Sequence, residues 1–304
     1  MGCAFRTLTT AVAVVVLSLA ASPRASGSDS TPPTVVGGVS TYVVRQGDTL
    51  RSVGARAGID AAALAEENGV DGDARLLPGQ LLRVDNRHIV PDSVLPGVLV
   101  VNVPQRMLFY VGDDGGLLEA APVAVGRRGW ATPTGSFTVL AKETQPTWDV
   151  PESIRLEALR EGRWLPVKVA PGPDNPLGAF WIGLSIGGIG VHGTNAPGSI
   201  YRAATHGCIR VHPEDIAKLF GRVSVGTAGR IIYEPVLLAQ AGEAVFLEVH
   251  RDVYGRLTAG TGERARALAA AAGLTGWIDW TIAFAVIEAR HGIARDVTTH
   301  ALAP

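Results

Sequence analysis

Residues 191–215, VHGTNAPGSIYRAATHGCIRVHPED, hold the side chains most able to do chemistry in this chain. Cys208 lies there, with His206 two positions before it and His192 sixteen before it. A thiol attacks a carbonyl well only as thiolate, so it needs a base or a cation within hydrogen-bond reach. Along an extended segment residues i and i+2 share a face, which would set His206 beside Cys208. His192 closes a predicted strand that can lie against the Cys208 segment, with residues 193–204 as the connecting loop. Either imidazole could serve as the base. After Cys208, His212-Pro213-Glu214-Asp215 reads as a helix start, with proline first and acids in the first turn. Ile216, Leu219 and Phe220 form its buried stripe. The nucleophile is thus expected on a short segment held between a loop and a helix.

The same residues have blander readings. A single cysteine is often a small core residue, His206 could merely brace the segment, and Arg210 reads first as structural. A zinc site of His192, His206, Cys208 and His212 is the competing chemistry. Its spacing matches no standard finger, and a catalytic zinc would use three of the four. No metal or cofactor is expected.

Context favours the nucleophile. Arg6, an apolar stretch at residues 8–21, and the small residues Ala25-Ser26-Gly27 read as an export signal over residues 1–27. That stretch is short for a membrane span, which needs about 20 residues. No integral segment is expected in the mature chain, an uncleaved anchor being the alternative. The chain has two cysteines, and Cys3 would leave with the signal. Cys208 would then stand alone in an oxidising compartment, where thiols usually pair. The net charge of −1 advertises no basic surface for nucleic acid.

Around this site the chain divides into segments. Residues 28–40 read as a linker, and residues 41–85 as a strand, two short helices and a closing strand. Residues 91–97 are a second linker. Residues 97–235 form a β-rich domain, with strands near 98–103, 106–111, 117–125, 135–142, 186–192 and 230–234. Residues 144–180 are rich in proline and glycine and read as a long loop over the sheet, a kind uncommon unless functional. Residues 236–304 form an appendage with a strand at 245–249 and helices at 264–272 and 276–290.

Two family resemblances sharpen this picture. Tyr42-Val43-Val44-x-Gln46-Gly47-Asp48-Thr49-Leu50, with Asn68 and Leu77-Pro78-Gly79-Gln80-x-Leu82, resembles the LysM glycan-binding family. It implies that Gly47, Asp48, Thr49, Leu77, Pro78 and Gly79 shape a groove for N-acetylglucosamine-containing strands. Turn and cap chemistry alone would also select several of them. His192-Gly193, Thr205-His206-Gly207-Cys208 and Arg210 resemble the L,D-transpeptidase catalytic domain (the YkuD family, ErfK/YbiS-like branch). Gly126, residues 131–137, residues 171–178 and Thr194-Asn195 extend the match across residues 97–235.

The resemblance implies a YkuD-like β-sandwich with short helices, a mostly β catalytic domain joined to a βααβ LysM domain and a C-terminal α/β appendage. It also implies acyl transfer through a Cys208 thioester on peptidoglycan stem peptides, in the periplasm. The acceptor would be a second stem or the lysine of an envelope lipoprotein. His192 would take the thiol proton, the N–H groups of Gly207 and Cys208 would bind the oxyanion, and Thr205 could supplement them. Arg210 and Arg202 could grip substrate carboxylates. Gly193 stands where relatives can carry serine, so a backbone carbonyl would have to orient His192. Carbapenems resemble the acyl donor in this family and should add to Cys208. Water as acceptor would give a carboxypeptidase or endopeptidase instead, and a silent glycan-binding scaffold is the non-enzymatic rival. A tethered glycan module would raise the local substrate concentration to a millimolar scale.

Overall fold

The first unit of the chain is built from β1 (Val35–Val36), β2 (Val39–Val43), α1 (Leu50–Ala57), α2 (Ala61–Glu67), β3 (Leu81–Asp85) and β4 (His88–Ile89). The computed structural model describes residues 34–299, so the export signal expected over residues 1–27 lies outside the described residues. β2 pairs antiparallel with β3, Tyr42 opposite Leu82, and β1 pairs with β4. The linker expected at 28–40 is therefore partly strand, because its valines find backbone partners. Thr49 caps α1 reciprocally: its Oγ1 accepts from the Ser52 N–H, and Ser52 Oγ accepts from the Thr49 N–H. Leu50, Val53, Ile59, Leu64, Leu82 and Val84 bury together as its core.

The second unit contains β5 (Val98–Asn102), β6 (Met107–Val111), β7 (Leu117–Gly126), β8 (Gly135–Thr144), β9 (Trp148–Asp149), α3 (Glu152–Arg160) and β10 (Lys168–Val169). It continues with β11 (Phe180–Leu184), β12 (Gly190–His192), β13 (Ala203–Thr205), β14 (Ile209–Val211), α4 (Pro213–Arg222) and β15 (Ala228–Ile232). Nine strands make one sheet in the order β13-β7-β14-β12-β11-β8-β15-β5-β6, and β6 pairs again with β7, so the sheet folds back on itself. The domain is mostly β, as expected. Alternation sorts its two faces: Leu99 and Val101 of β5 join Leu108, Val123, Val191 and Ile209 inside. Val100 faces the other way, against Phe109, Val111 and Ala55 of α1. Both faces of β5 are covered, which is why it reads as an unbroken apolar run.

Residues 144–180 differ from the loop expected there. They carry β9, β10 and α3, and fold over the sheet as an ordered flap. Asn175 staples it: its buried Nδ2 donates to the carbonyls of Pro146, Val169 and Ala170, and its Oδ1 accepts from the Leu177 N–H. The helix had a local signal that the surrounding prolines and glycines masked. Pro151 and Glu152 make a helix start, and Ile154 and Ala158 recur at i and i+4.

The C-terminal unit comprises β16 (Val236–Ala241), β17 (Ala244–Val249), α5 (Thr261–Ala271), α6 (Trp280–Ala289) and β18 (Arg295–Asp296). β16 was not expected, and it forms a hairpin with β17 through the turn at Gly242. The helix expected from 276 starts at 280 because the Asp279 side chain accepts from the N–H groups of Thr281 and Ile282 and caps it there. No helix among the described residues is long and apolar enough to cross a membrane.

The three units are packed together. Ile293 enters the core of the first unit. Arg295 pairs with Asp85 at 2.7 Å and with Glu67. His88 sits in the seam, with Nε2 2.9 Å from the Gly58 carbonyl and Nδ1 2.8 Å from Glu248 Oε1. His250 Nε2 meets the same Glu248 oxygen at 2.7 Å. Residues 91–97, expected as a linker, bury Val94 against the same side as Ala55. The expected tethered module is corrected to a docked one, because each neighbour supplies apolar and charged groups to its surface.

Candidate active site

β12 and β14 run parallel, Val191 opposite Ile209 and His192 opposite Arg210. Val191 and Ile209 point into the core, so their neighbours face the other way: Gly190 and His192 on one strand, Arg210 on the other. Cys208 directly precedes β14. Gly190 must lack a side chain, since a Cβ there would lie 2.3 Å from the Trp181 ring. That ring stacks on His192 at 5.9 Å. Cys208, His192, Arg210, Thr205, His206 and Glu157 all border one cavity of about 370 Å³ beneath the flap.

His192 is buried, and its Nδ1 lies 2.7 Å from the Gly193 carbonyl oxygen. A carbonyl only accepts, so Nδ1 carries the proton and Nε2 keeps its lone pair. The backbone carbonyl expected to orient this ring is that of Gly193. Burial, aided by the Arg210 cation, depresses the His192 pKa to about 4. Burial pushes the Cys208 thiol up, against the weaker opposing pull of the Gly190 N–H and Arg210. Both shifts favour the uncharged forms, and the Cys208 thiol is set toward the Gly188 carbonyl at 3.6 Å.

The approach to Cys208 is not extended. Gly207 has φ +113, and neither β13 nor β14 includes residues 206–208. The i, i+2 argument for His206 therefore fails. His206 Nε2 lies 2.6 Å from Glu157 Oε2 and 3.0 Å from Arg127 Nη2, and its ring meets Trp130 edge-on at 5.0 Å. It braces the segment against the flap. Hydrogen bonds from His206 and Arg127 hold Glu157 down at about 2.

Thr205 Oγ1 donates to the Cys208 carbonyl at 2.6 Å and accepts from the Gly207 N–H at 3.2 Å. Of the two expected oxyanion donors, the Gly207 N–H is thus already engaged by Thr205. Arg210 donates from Nη1 to Ser199 Oγ at 2.8 Å, while its Nε is buried without a protein partner. That suits a waiting anion. Arg202 is a correction: it is exposed and borders a different cavity, beside Arg51 and Asp60. His212 caps α4, its Nδ1 facing the Glu214 N–H at 3.4 Å, and so leaves the zinc set considered for it.

In the first unit, the segments leading into Gly47-Asp48-Thr49 and out of Leu77-Pro78-Gly79 are tied at Val44, whose N–H donates to the Gln80 carbonyl and whose carbonyl accepts from the Gly79 N–H. Asp48 also accepts from Tyr42 OH at 2.6 Å, and Leu77 is 64% exposed. Glu157, Arg127 and Thr132 went unnoticed as site residues in the sequence, because their partners lie 30 to 79 positions away, and Trp181 because only the antiparallel pairing of its strand with His192 brings the two rings together.

The family model described as the L,D-transpeptidase catalytic domain matches residues 96–237, and the LysM domain matches residues 42–85. The probable L,D-transpeptidase ErfK/SrfK of Salmonella typhimurium is 37% identical over 227 residues, covering 72% of this chain and 72% of that protein. The probable L,D-transpeptidase YbiS of Escherichia coli is 35% identical over 178 residues, covering 58% of this chain and 57% of that one. The putative L,D-transpeptidase YkuD of Bacillus subtilis is 31% identical over 188 residues, covering 62% and 95%.

Proposed function

Because this chain belongs to the L,D-transpeptidase family, we propose that its acyl transfer on peptidoglycan runs through a thioester on Cys208, with His192 as the base of both half-reactions. One observation carries this reading: the Gly193 carbonyl fixes the His192 tautomer so that Nε2 is basic, in the cavity that holds the thiol.

Sγ attacks the carbonyl carbon of the diamino acid at stem position three as its proton passes to His192 Nε2. With both groups neutral at rest, proton transfer accompanies the attack. The Cys208 N–H binds the oxyanion, a contribution of about 3 kcal/mol in such sites. The intermediate collapses, D-alanine departs with the proton from His192, and the thioester remains. An acceptor amine then attacks, its proton goes through His192 to sulfur, and the C–S bond breaks as the new amide forms. Arg210 pairs with a substrate carboxylate.

The acceptor is a second stem, giving a 3→3 cross-link, or a lipoprotein lysine. The compartment is the periplasm. Loops at 47–49 and 77–79 hold the glycan. Incubating Cys208→Ala and the parent with a disaccharide tetrapeptide and weighing the products tests the core of this. The parent should release D-alanine and form dimers, and the variant neither. Full exchange by the variant would remove Cys208 from the reaction, and tripeptide without dimer would make water the acceptor.

A further inference from the structure

We infer that Tyr254, in the C-terminal unit, is a positioning residue for the nucleophile, acting through Thr132 on the peptide plane that joins Gly207 to Cys208. Thr132 is buried behind the site, and its Oγ1 donates to the Gly207 carbonyl at 2.8 Å. The same oxygen accepts from the Gly126 N–H at 2.8 Å. The Thr132 N–H donates to Tyr254 OH at 3.1 Å, and Tyr254 OH donates to the Gly126 carbonyl at 2.7 Å. Gly126, Thr132 and Tyr254 thus close a ring of hydrogen bonds from which the Gly207 carbonyl hangs.

Planarity gives this contact its consequence. The Gly207 carbonyl and the Cys208 N–H belong to one peptide unit and point in opposite directions. Holding the carbonyl aims the N–H, which is the oxyanion donor left after Thr205 engages Gly207. No strand ladder does this job, since the sheet skips residues 206–208. Tyr254 is itself held. Its N–H donates to Tyr233 OH at 2.8 Å, Tyr233 OH donates to Asp252, and the two rings stack at 5.6 Å. The C-terminal unit thereby completes the catalytic domain's own site.

The inference rests on the acyl-transfer reading, and its test separates the two. Tyr254→Phe in the full chain keeps the stacked ring and removes the hydroxyl. Acylation of Cys208 by a carbapenem forms an oxyanion, whereas alkylation by iodoacetamide does not. We expect the maximal acylation rate to fall about tenfold, with the concentration for half-maximal rate and the alkylation rate within about twofold of the parent. Thr132→Ser should lose far less than Thr132→Val. Unchanged acylation, or an equal loss in acylation and alkylation, overturns the inference. Selective loss of acylation beside a parent that makes no stem-peptide product would leave it standing and refute the transpeptidase reading. A parent that alkylates yet accepts no acyl group overturns both.

Discussion

Glu157 Oε2 lies 2.6 Å from His206 Nε2, which ties the helix of the flap to the peptide just ahead of the nucleophile. Glu157 stays anionic far below neutral pH because His206 and Arg127 both hydrogen-bond to it. Glu157→Gln keeps the shape and removes the charge. The flap over the cavity loosens, so KM for a tetrapeptide donor should rise about fivefold while kcat changes less. Steady-state kinetics at pH 7 check this, and an unchanged KM removes the flap from substrate binding.

The neutral thiol–imidazole pair predicts a distinctive pH dependence. His192 keeps its basic nitrogen down to about pH 4, so the acid limb of acylation should lie well below the ordinary histidine value. Thiol alkylation should keep climbing past the ordinary cysteine value of 9.0. An alkylation plateau near neutral pH would instead mean a preformed thiolate.

Burial of His192 also makes stability pH-dependent. Its folded pKa is depressed below the unfolded 6.5, so its contribution is complete above pH 6.5 and is lost as pH falls toward about 4. His250, buried and depressed likewise, acts with the same sign. At most about 3 kcal/mol belongs to His192. Urea midpoints at pH 7 and pH 4.5 should differ less for His192→Gln than for the parent.

Arg210 helps to lower the His192 pKa and borders the cavity, with its Nε buried and unpartnered. Arg210→Ala should therefore weaken donor binding and move the acid limb upward. Arg210→Lys should leave the limb in place but not restore KM, since an ammonium lacks the fork. Equal behaviour of the two variants would count against carboxylate recognition.

Ile293 is 1% exposed, within the core of the first unit. Ile293→Ala should cost about 2–5 kcal/mol and split one melting transition into two. A parent that already melts in two well-separated steps would contradict the docking. Leu77→Asp, by contrast, alters an exposed side chain and should weaken sacculus retention with stability within about 0.5 kcal/mol.

The β-rich domain, the small module and the gathering of Cys208 and His192 at one cavity were legible in the sequence because each leaves a local trace. Alternating valines mark strands, Thr49 marks a helix start, and the cysteine stands between histidines. Glu157 was hidden because proline and glycine on either side of α3 drew the whole segment into a loop. His206 does border the cavity of Cys208, but across a glycine at φ +113 and not by the period-two alignment expected for it. Docking was invisible for a different reason. Ile293 and Arg295 contribute to a core and an ion-pair cluster whose other members lie more than 200 positions earlier, as with Asp85.

The grip of Ile293 and Arg295 on the first unit turns that unit from a leash into a ruler. A leash would let Cys208 sample every stem within its sweep. A fixed mount offers it only those that project at one distance and one rotational phase from the sugars being held. Donor stems would then be chosen by their spacing along the strand, and products would carry that periodicity.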